Sequence, residues 1–101
     1  MTPFRILVAG RAKRELARAT DWWRTNRLDA PALFLDELTT AFELIARAPH
    51  SGGIIENPVG VRRWLLPRSR FHIYYTTDDR ARTVMVRALW HATRGSGPKL
   101  R

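Results

Sequence analysis

Apolar and polar residues alternate most regularly in the second half of the chain, between Gly60 and Arg94. Because successive side chains of a strand point to opposite faces, this alternation predicts β-strands. Three runs are expected, over Val61–Leu66, Arg70–Thr77 and Thr83–Trp90. Short segments rich in proline, serine and aspartate separate them, which predicts tight turns between antiparallel strands.

The two longer runs predict a sheet with one apolar face and one basic, open face. The apolar face is expected to hold Phe71, Ile73, Tyr75, Val84, Val86, Ala88 and Trp90. The open face is expected to hold Arg70, His72, Tyr74 and Arg87, with His91 and Arg94 just beyond the last strand. Trp90 is predicted to pack in the core, because it continues the apolar series of its strand.

The first half of the chain predicts one strand followed by two helices. Pro3–Ala9 alternates as a strand. In Arg11–Thr25 and in Pro31–Ala48 the apolar residues recur every three or four positions, which is the spacing of one helix face. The break at Asn26–Asp29 is short, so the two helices are expected to form a hairpin. Trp22 lies beside the first apolar stripe and is expected at the margin of the core.

Together these elements predict one α+β domain over residues 1–101, in the order β-α-α-β-β-β. The helix hairpin is expected to pack on one face of a mostly antiparallel four-stranded sheet. Three carboxylates of the second helix are expected to face outward, Asp36, Glu37 and Glu43. Ile54–Val59 is expected to be a loop or an irregular edge, and the tail from about His91 to lack regular structure.

Composition adds a segregated charge to this picture. The chain has a net charge of +9 and no cysteine, which excludes disulfides and cysteine nucleophiles. Residues 11–27 carry +4 and residues 60–101 carry +8, whereas residues 28–59 carry −4. Such a field favours a polyanionic partner, although solvated arginine faces would give the same count. The N-terminal apolar run is too short for a signal peptide or a membrane span, so a cytoplasmic protein without membrane contact is expected.

Motifs of the common catalytic sites do not occur in the sequence. It has no phosphate-binding glycine loop, no HExxH and no GxSxG. The histidines are scattered and lack suitably placed carboxylates, so neither a metal nor another cofactor is expected.

The open face of the predicted sheet is the remaining candidate for chemistry. Arginines can hold a phosphate by two hydrogen bonds while an imidazole or a phenol moves a proton, which is the chemistry of metal-free RNA cleavage. The alternative is that His72 and Tyr74 are amphipathic strand residues half-covered by the tail. Arg62 and Arg63 are adjacent, so one is expected over the open face and the other at an edge or under the helices.

Several short motifs occur in order along nearly the whole chain. They are AxxxL at Ala12–Leu16, a helix end at Ala48 and Pro49, GVRR at Gly60–Arg63, FHIYY at Phe71–Tyr75 and LWHATR at Leu89–Arg94. This set resembles the RelE/ParE toxin family of type II toxin–antitoxin systems. The second strand lacks the lysines of the RelE branch, His72 stands where that branch has an arginine, and the WHATR motif is similar to the ParE branch.

The resemblance implies growth inhibition, plasmid stabilisation and a cognate antitoxin that wraps the toxin in a hetero-oligomer. It favours a ParE-like protein that inhibits DNA gyrase and is not an enzyme. The alternative is a RelE-like endonuclease that cuts mRNA on the ribosome without a metal. A third option is an inactive or purely nucleic-acid-binding relative. Binding is expected at four basic or aromatic residues, Arg63, Arg70, Tyr74 and Arg87. Only under the alternative are catalytic roles expected, at His72, His91 and Arg94.

Overall fold

The computed structural model describes residues 2–94 and 97–100, and these form two helices and a five-stranded mixed sheet. The elements are β1 (Arg5–Val8), α1 (Gly10–Asn26), α2 (Leu33–Arg47), β2 (Gly53–Ile54), β3 (Arg62–Leu65), β4 (Phe71–Asp78) and β5 (Thr83–His91). The strand order is β1-β5-β4-β3-β2; β1 and β5 are parallel and the other neighbours are antiparallel. The predicted α+β class and the helix hairpin on a mostly antiparallel sheet are confirmed. Within the described residues, no helix has the length and apolar character needed to cross a membrane.

The sheet has one strand more than the four predicted. In β2, Gly53 pairs with Arg63 and Ile54 pairs with Arg62, at the outer edge of β3. Two residues are too few to show an alternating pattern, so the segment was expected to be a loop or an irregular edge. The second helix also begins later than expected, at Leu33.

Both helices pack on one face of the sheet, because each presents a single apolar stripe. The buried side chains of the helices are Ala12, Ala19, Trp23, Phe34, Leu38, Ala41 and Ile45. The sheet meets them with Leu66, Ile73, Tyr75, Val84, Val86 and Leu89. Burying one large aliphatic or aromatic side chain contributes about 1.5–3 kcal/mol, so this layer is the main source of stability.

A β-bulge interrupts the pairing of β4 with β5. Tyr74 pairs with Ala88, whereas Tyr75 pairs with Val86, so Arg87 is an extra residue on β5 with no partner on β4. An extra residue of this kind reverses the faces on which all later residues of the strand lie.

The bulge moves the end of β5 to the opposite face from the one predicted. Val84 and Val86 lie under the helices as expected, but Leu89 takes the next core position. Ala88 and Trp90 instead lie on the open face, in a second cluster around Tyr74. The prediction that Ala88 and Trp90 continue the core series is therefore wrong. Simple alternation does not reveal an inserted residue.

Two helix carboxylates anchor the helices to the backbone of the sheet. The carboxylate of Glu37 accepts hydrogen bonds from the backbone N–H of Arg68 at 2.7 Å and of Ser69 at 3.0 Å, and from the Ser69 hydroxyl at 2.7 Å. Glu15 Oε1 accepts one from the backbone N–H of Leu89 at 3.0 Å. Glu37 was predicted to face outward, and that prediction is wrong because its carboxylate fixes the β3–β4 turn.

The phenol of Tyr75 joins β4 to the connection between α2 and β2. Its hydroxyl donates to the carbonyl of Pro49 and accepts from the N–H of Gly52, both at 3.0 Å. Arg62 Nη1 donates to the carbonyl of Gly52 at 2.8 Å. Burial raises the pKa of Tyr75, and the Gly52 N–H and the Arg62 charge partly oppose that rise. The phenol is therefore a neutral structural group.

We expect Gly52→Ala to destabilise the fold by about 1–3 kcal/mol through overpacking. A Cβ at this position would overlap Tyr75 Oη and lie 2.9 Å from Tyr75 Cζ, and the fully buried ring cannot withdraw without losing both hydrogen bonds. Gly53→Ala is the matched control, since its Cβ would meet only the Arg63 carbonyl, at 3.7 Å. Urea unfolding followed by circular dichroism measures both variants. Equal losses would contradict a role for the Tyr75 contact.

Candidate functional site

The open face of the sheet carries most of the residues that the sequence singled out. Register places Arg63, Tyr74 and Ala88 in one cross-strand row. The next row holds Leu65, His72 and Trp90. The rings of His72 and Tyr74 are 6.1 Å apart between centroids. Arg63 is exposed on this face, whereas Arg62 points to Gly52 at the edge; the expected division of the two arginines is confirmed.

His72 is a titratable residue of this face whose pKa differs from its usual value. Partial burial lowers the pKa of its imidazole, and the charges of Arg63 and Arg70 lower it further. The neutral form therefore predominates at neutral pH, and a neutral imidazole can accept a proton or a hydrogen bond.

The tail covers the middle of the open face. Tyr74 is only 5% exposed, and Leu100 packs against its cluster. Gly97 has a φ of +86°, and a Cβ there would lie 3.1 Å from Tyr74 Oη, so the backbone passes directly over the phenol. Arg11 Nη1 holds the tail from α1 by donating to the carbonyl of Lys99 at 2.6 Å. Tyr74 is thus covered, as in the half-covered alternative considered from the sequence.

The other predicted binding residues lie at the ends of this face. Arg87, the bulge residue, is exposed, and its Nε donates to Thr76 Oγ1 at 3.2 Å. Arg70 enters β4 from the turn with a φ of 68°, in the left-handed region. Its carbonyl accepts a hydrogen bond from the N–H of Ala92 at 2.7 Å, which ties the chain after β5 to the start of β4.

His91 lies on the opposite side of the sheet from His72. It pairs with Phe71, and the two rings meet edge to face with centroids 5.0 Å apart. Arg94 places its guanidinium 4.2 Å from the centre of the Trp90 ring. The bulge is the cause of this separation, so the expected gathering of His72 and His91 on one face does not occur. Their catalytic roles under the alternative stay predictions.

A second concave surface, which the sequence pattern did not predict, lies between α1, the β3–β4 turn and the end of β5. We call it the arginine groove; its volume is about 1050 Å³. Its basic and aromatic lining residues are Arg18, Trp22, Trp23, Arg27, Arg68, Arg70, Phe71, Trp90, His91 and Arg94. Trp22 was expected at the core margin but is 55% exposed. In the sequence, this groove is indicated by the position of Trp22 among the arginines of α1.

An apolar groove of about 760 Å³ lies between α2 and β3. Its lining includes Leu33, Leu44, Trp64, Leu65 and Leu66. Leu44 is 48% exposed and Leu65 is 37% exposed, so part of this apolar surface faces solvent.

Residue ranges 2–94 and 97–100 contain no set of three or more His, Asp or Glu side chains that could hold a metal ion.

Comparison with protein families gives one match over most of the chain. The model described as the ParE toxin of the type II toxin–antitoxin system parDE matches residues 6–95. No curated protein matches the chain significantly.

Solved structures with a similar fold include chains from three bacteria. A chain of the toxin–antitoxin complex RelBE2 from Mycobacterium tuberculosis is 19% identical with a TM-score of 0.67, and the match covers 90% of this chain and 93% of that chain. A chain of the chromosomal ParDE system from P. aeruginosa is 12% identical with a TM-score of 0.70, covering 87% and 95%. The isolated RelE toxin of E. coli is 17% identical with a TM-score of 0.61, covering 92% and 88%. At such identities these structures show a shared fold alone.

We expect Arg63→Gln to raise the pKa of His72 toward its usual value of 6.5, because one of the two nearby positive charges is removed. NMR titration of the imidazole measures this shift. Arg87→Gln is the control, since Arg87 lies beside Thr76, on the far side of the bulge. A His72 titration that is the same in both variants would contradict the assigned cause.

The same shift has a consequence for stability. The folded pKa of His72 lies below the unfolded value of 6.5, so at acid pH the unfolded chain binds more protons than the folded chain. Stability from this group is present above pH 6.5 and is lost as the pH falls below it. We expect His72→Gln to reduce the loss of stability on acidification, measured by urea unfolding as a function of pH.

Proposed function

The chain belongs to the ParE toxin family of type II toxin–antitoxin systems, and we propose that this toxin acts by binding DNA gyrase and inhibiting it. A cognate antitoxin neutralises it in a toxin–antitoxin hetero-oligomer. The solved relatives that are toxin–antitoxin complexes are consistent with such a partner.

The separation of the two histidines is the observation that favours gyrase inhibition over RNA cleavage. Cleavage by the 2′-hydroxyl requires one group to remove a proton and another to deliver one. His72 and His91 lie on opposite faces, since His91 pairs with Phe71 and His72 with Trp90. The second proton-transfer candidate beside His72 is Tyr74, which is 5% exposed under the tail. Among the residues that the structure describes, the open face therefore holds no accessible acid–base pair.

The exposed arginines of the open face suit contact with an acidic protein surface. Arg63 and Arg87 are both exposed and lie on either side of the covered Tyr74. We assign gyrase contact to these two and to Arg70. Tyr74 contributes only when residues 97–100 move away from it.

The antitoxin is proposed to occupy the apolar groove between α2 and β3 and to reach the basic open face. Leu44, Trp64 and Leu65 offer the apolar anchors that an amphipathic helix needs. An acidic segment beyond that helix would complement the arginines of the open face.

The surroundings of His72 favour mRNA cleavage as a second candidate function. The lowered pKa of His72 provides a neutral imidazole beside Arg63, which is an arrangement for a general base next to a phosphate-binding residue. Under this alternative the toxin would cut mRNA on the ribosome, with Arg94 on the phosphate.

We expect the purified chain to inhibit supercoiling by gyrase, and Arg63→Glu with Arg87→Glu to weaken inhibition at least about tenfold, because like charges then meet across the interface. His72→Ala is expected to retain inhibition. The parallel measurement is cleavage of an mRNA on programmed ribosomes, read by primer extension.

This experiment distinguishes gyrase inhibition from mRNA cleavage. Ribosome-dependent cleavage that His72→Ala abolishes, with gyrase unaffected, would overturn the proposal and establish the alternative. In growing bacteria, DNA synthesis should fall before protein synthesis when the chain is induced. The reverse order would also contradict gyrase as the target.

A further inference from the structure

The arginine groove carries an excess of positive charge, and apart from Arg70 the proposed gyrase contact does not use it. Arg18 and Arg27 line one wall from α1, Arg68 and Arg70 line the other from the β3–β4 turn, and Arg94 stands at the end of β5. All five side chains belong to exposed residues. The groove therefore offers guanidinium groups on both walls and at one end.

Few of these charges are neutralised within the described chain. Among residue ranges 2–94 and 97–100, the ion pairs include only one groove arginine, Arg27, which lies 3.5 Å from Asp29. The one carboxylate in the lining, Glu15, already accepts hydrogen bonds from Leu89 N–H and Arg11 Nε. The groove therefore has arginines available to bind an anion.

Aromatic surface accompanies the charge. Trp22 is 55% exposed and its ring centre lies 5.9 Å from that of Trp23. Trp90 lies at the other end of the groove with the Arg94 guanidinium over its ring. The exposed indole of Trp22, among several guanidinium groups, matches a ligand with flat faces and regularly spaced negative charges.

We propose that the arginine groove binds single-stranded nucleic acid. Phosphates lie along the arginines of the two walls, and a base stacks on the exposed indole of Trp22. The stretch of α1 and its C-terminal cap that lines the groove, from Glu15 to Arg27, is roughly 18 Å long at 1.5 Å per residue. That length suits a short run of nucleotides. Duplex contacts would need only the phosphates and would leave Trp22 unused.

The walls of this site are held rigid by the rest of the fold. Glu37 fixes the backbone N–H groups of Arg68 and Ser69, and Glu15 joins α1 to Leu89. The backbone of the turn that carries Arg68 is therefore positioned before any ligand arrives. A prepared site loses less free energy to ordering on binding.

An acidic peptide is the competing occupant, and the groove favours nucleic acid over it. Every basic side chain of the lining apart from His91 is an arginine, whose planar group binds phosphate by two hydrogen bonds and stacks on bases. A carboxylate-rich segment would gain nothing specific from the exposed face of Trp22.

The test is fluorescence anisotropy of labelled twelve-nucleotide DNA and RNA strands with the full-length chain, in the absence of gyrase and ribosomes. We expect Trp22→Ala to weaken binding about tenfold through lost stacking, and Trp22→Phe to restore most of it. Arg68→Gln should lower the salt dependence of binding by about 0.7 in the log–log slope. Because no target enzyme is present, failure here is separate from failure of gyrase inhibition.

Arg80→Gln is the matched charge control, since Arg80 is exposed on the β4–β5 turn, outside the groove. If it weakens binding as much as Arg68→Gln does, binding follows net charge and the groove is not a site. Equal affinity for a duplex, with no effect of Trp22→Ala, would also overturn the proposal. So would tighter binding of an oligoglutamate peptide that depends on Trp22, which would establish an acidic protein as the occupant.

Discussion

The β-bulge at Arg87 decides which side chains share a face at the end of the sheet. Without it, Ala88 and Trp90 would lie under the helices, and Leu89 and His91 would lie on the open face. With it, Leu89 completes the core, and its N–H is free to meet Glu15 because β1 ends at Val8 and no longer pairs with this part of β5. One inserted residue therefore sets both the last layer of the core and the separation of the two histidines.

Polar contacts from side chains then hold the surfaces around this core in place. The carboxylate of Glu37 satisfies two backbone N–H groups of the β3–β4 turn, which would otherwise have to find water. The Tyr75 phenol does the same for the connection after α2. These contacts come from helix and strand interiors but act on loops. The backbone of the β3–β4 turn, which carries Arg68 into the arginine groove, is consequently held by Glu37, a residue outside that groove.

Much of the fold can be predicted from the sequence, because the spacing of apolar residues in a long segment indicates whether it is a helix or a strand. The stripes of both helices and the alternation of β4 placed the core correctly up to Val86. Beyond that residue the pattern failed, since an inserted residue such as Arg87 leaves no mark in apolar periodicity. The prediction for Glu37 was wrong for a related reason. A charged residue is expected to face solvent unless its partner, which is distant in the sequence, is known. The arginine groove joins segments about fifty residues apart, so only the folded chain brings Arg18 and Arg68 together.

The two basic surfaces differ in how accessible they are, and this difference separates their roles. On the open face, residues 97–100 lie over Tyr74 and are held from α1 through Lys99. A ligand that needs Tyr74 must first displace Leu100, which adds a cost to binding there. The arginine groove has no such requirement, because Trp22 and the arginines around it are already exposed. A protein partner with a broad surface can bind Arg63 and Arg87 around the covered phenol. A narrow single strand instead finds arginines and an exposed stacking surface together in the arginine groove.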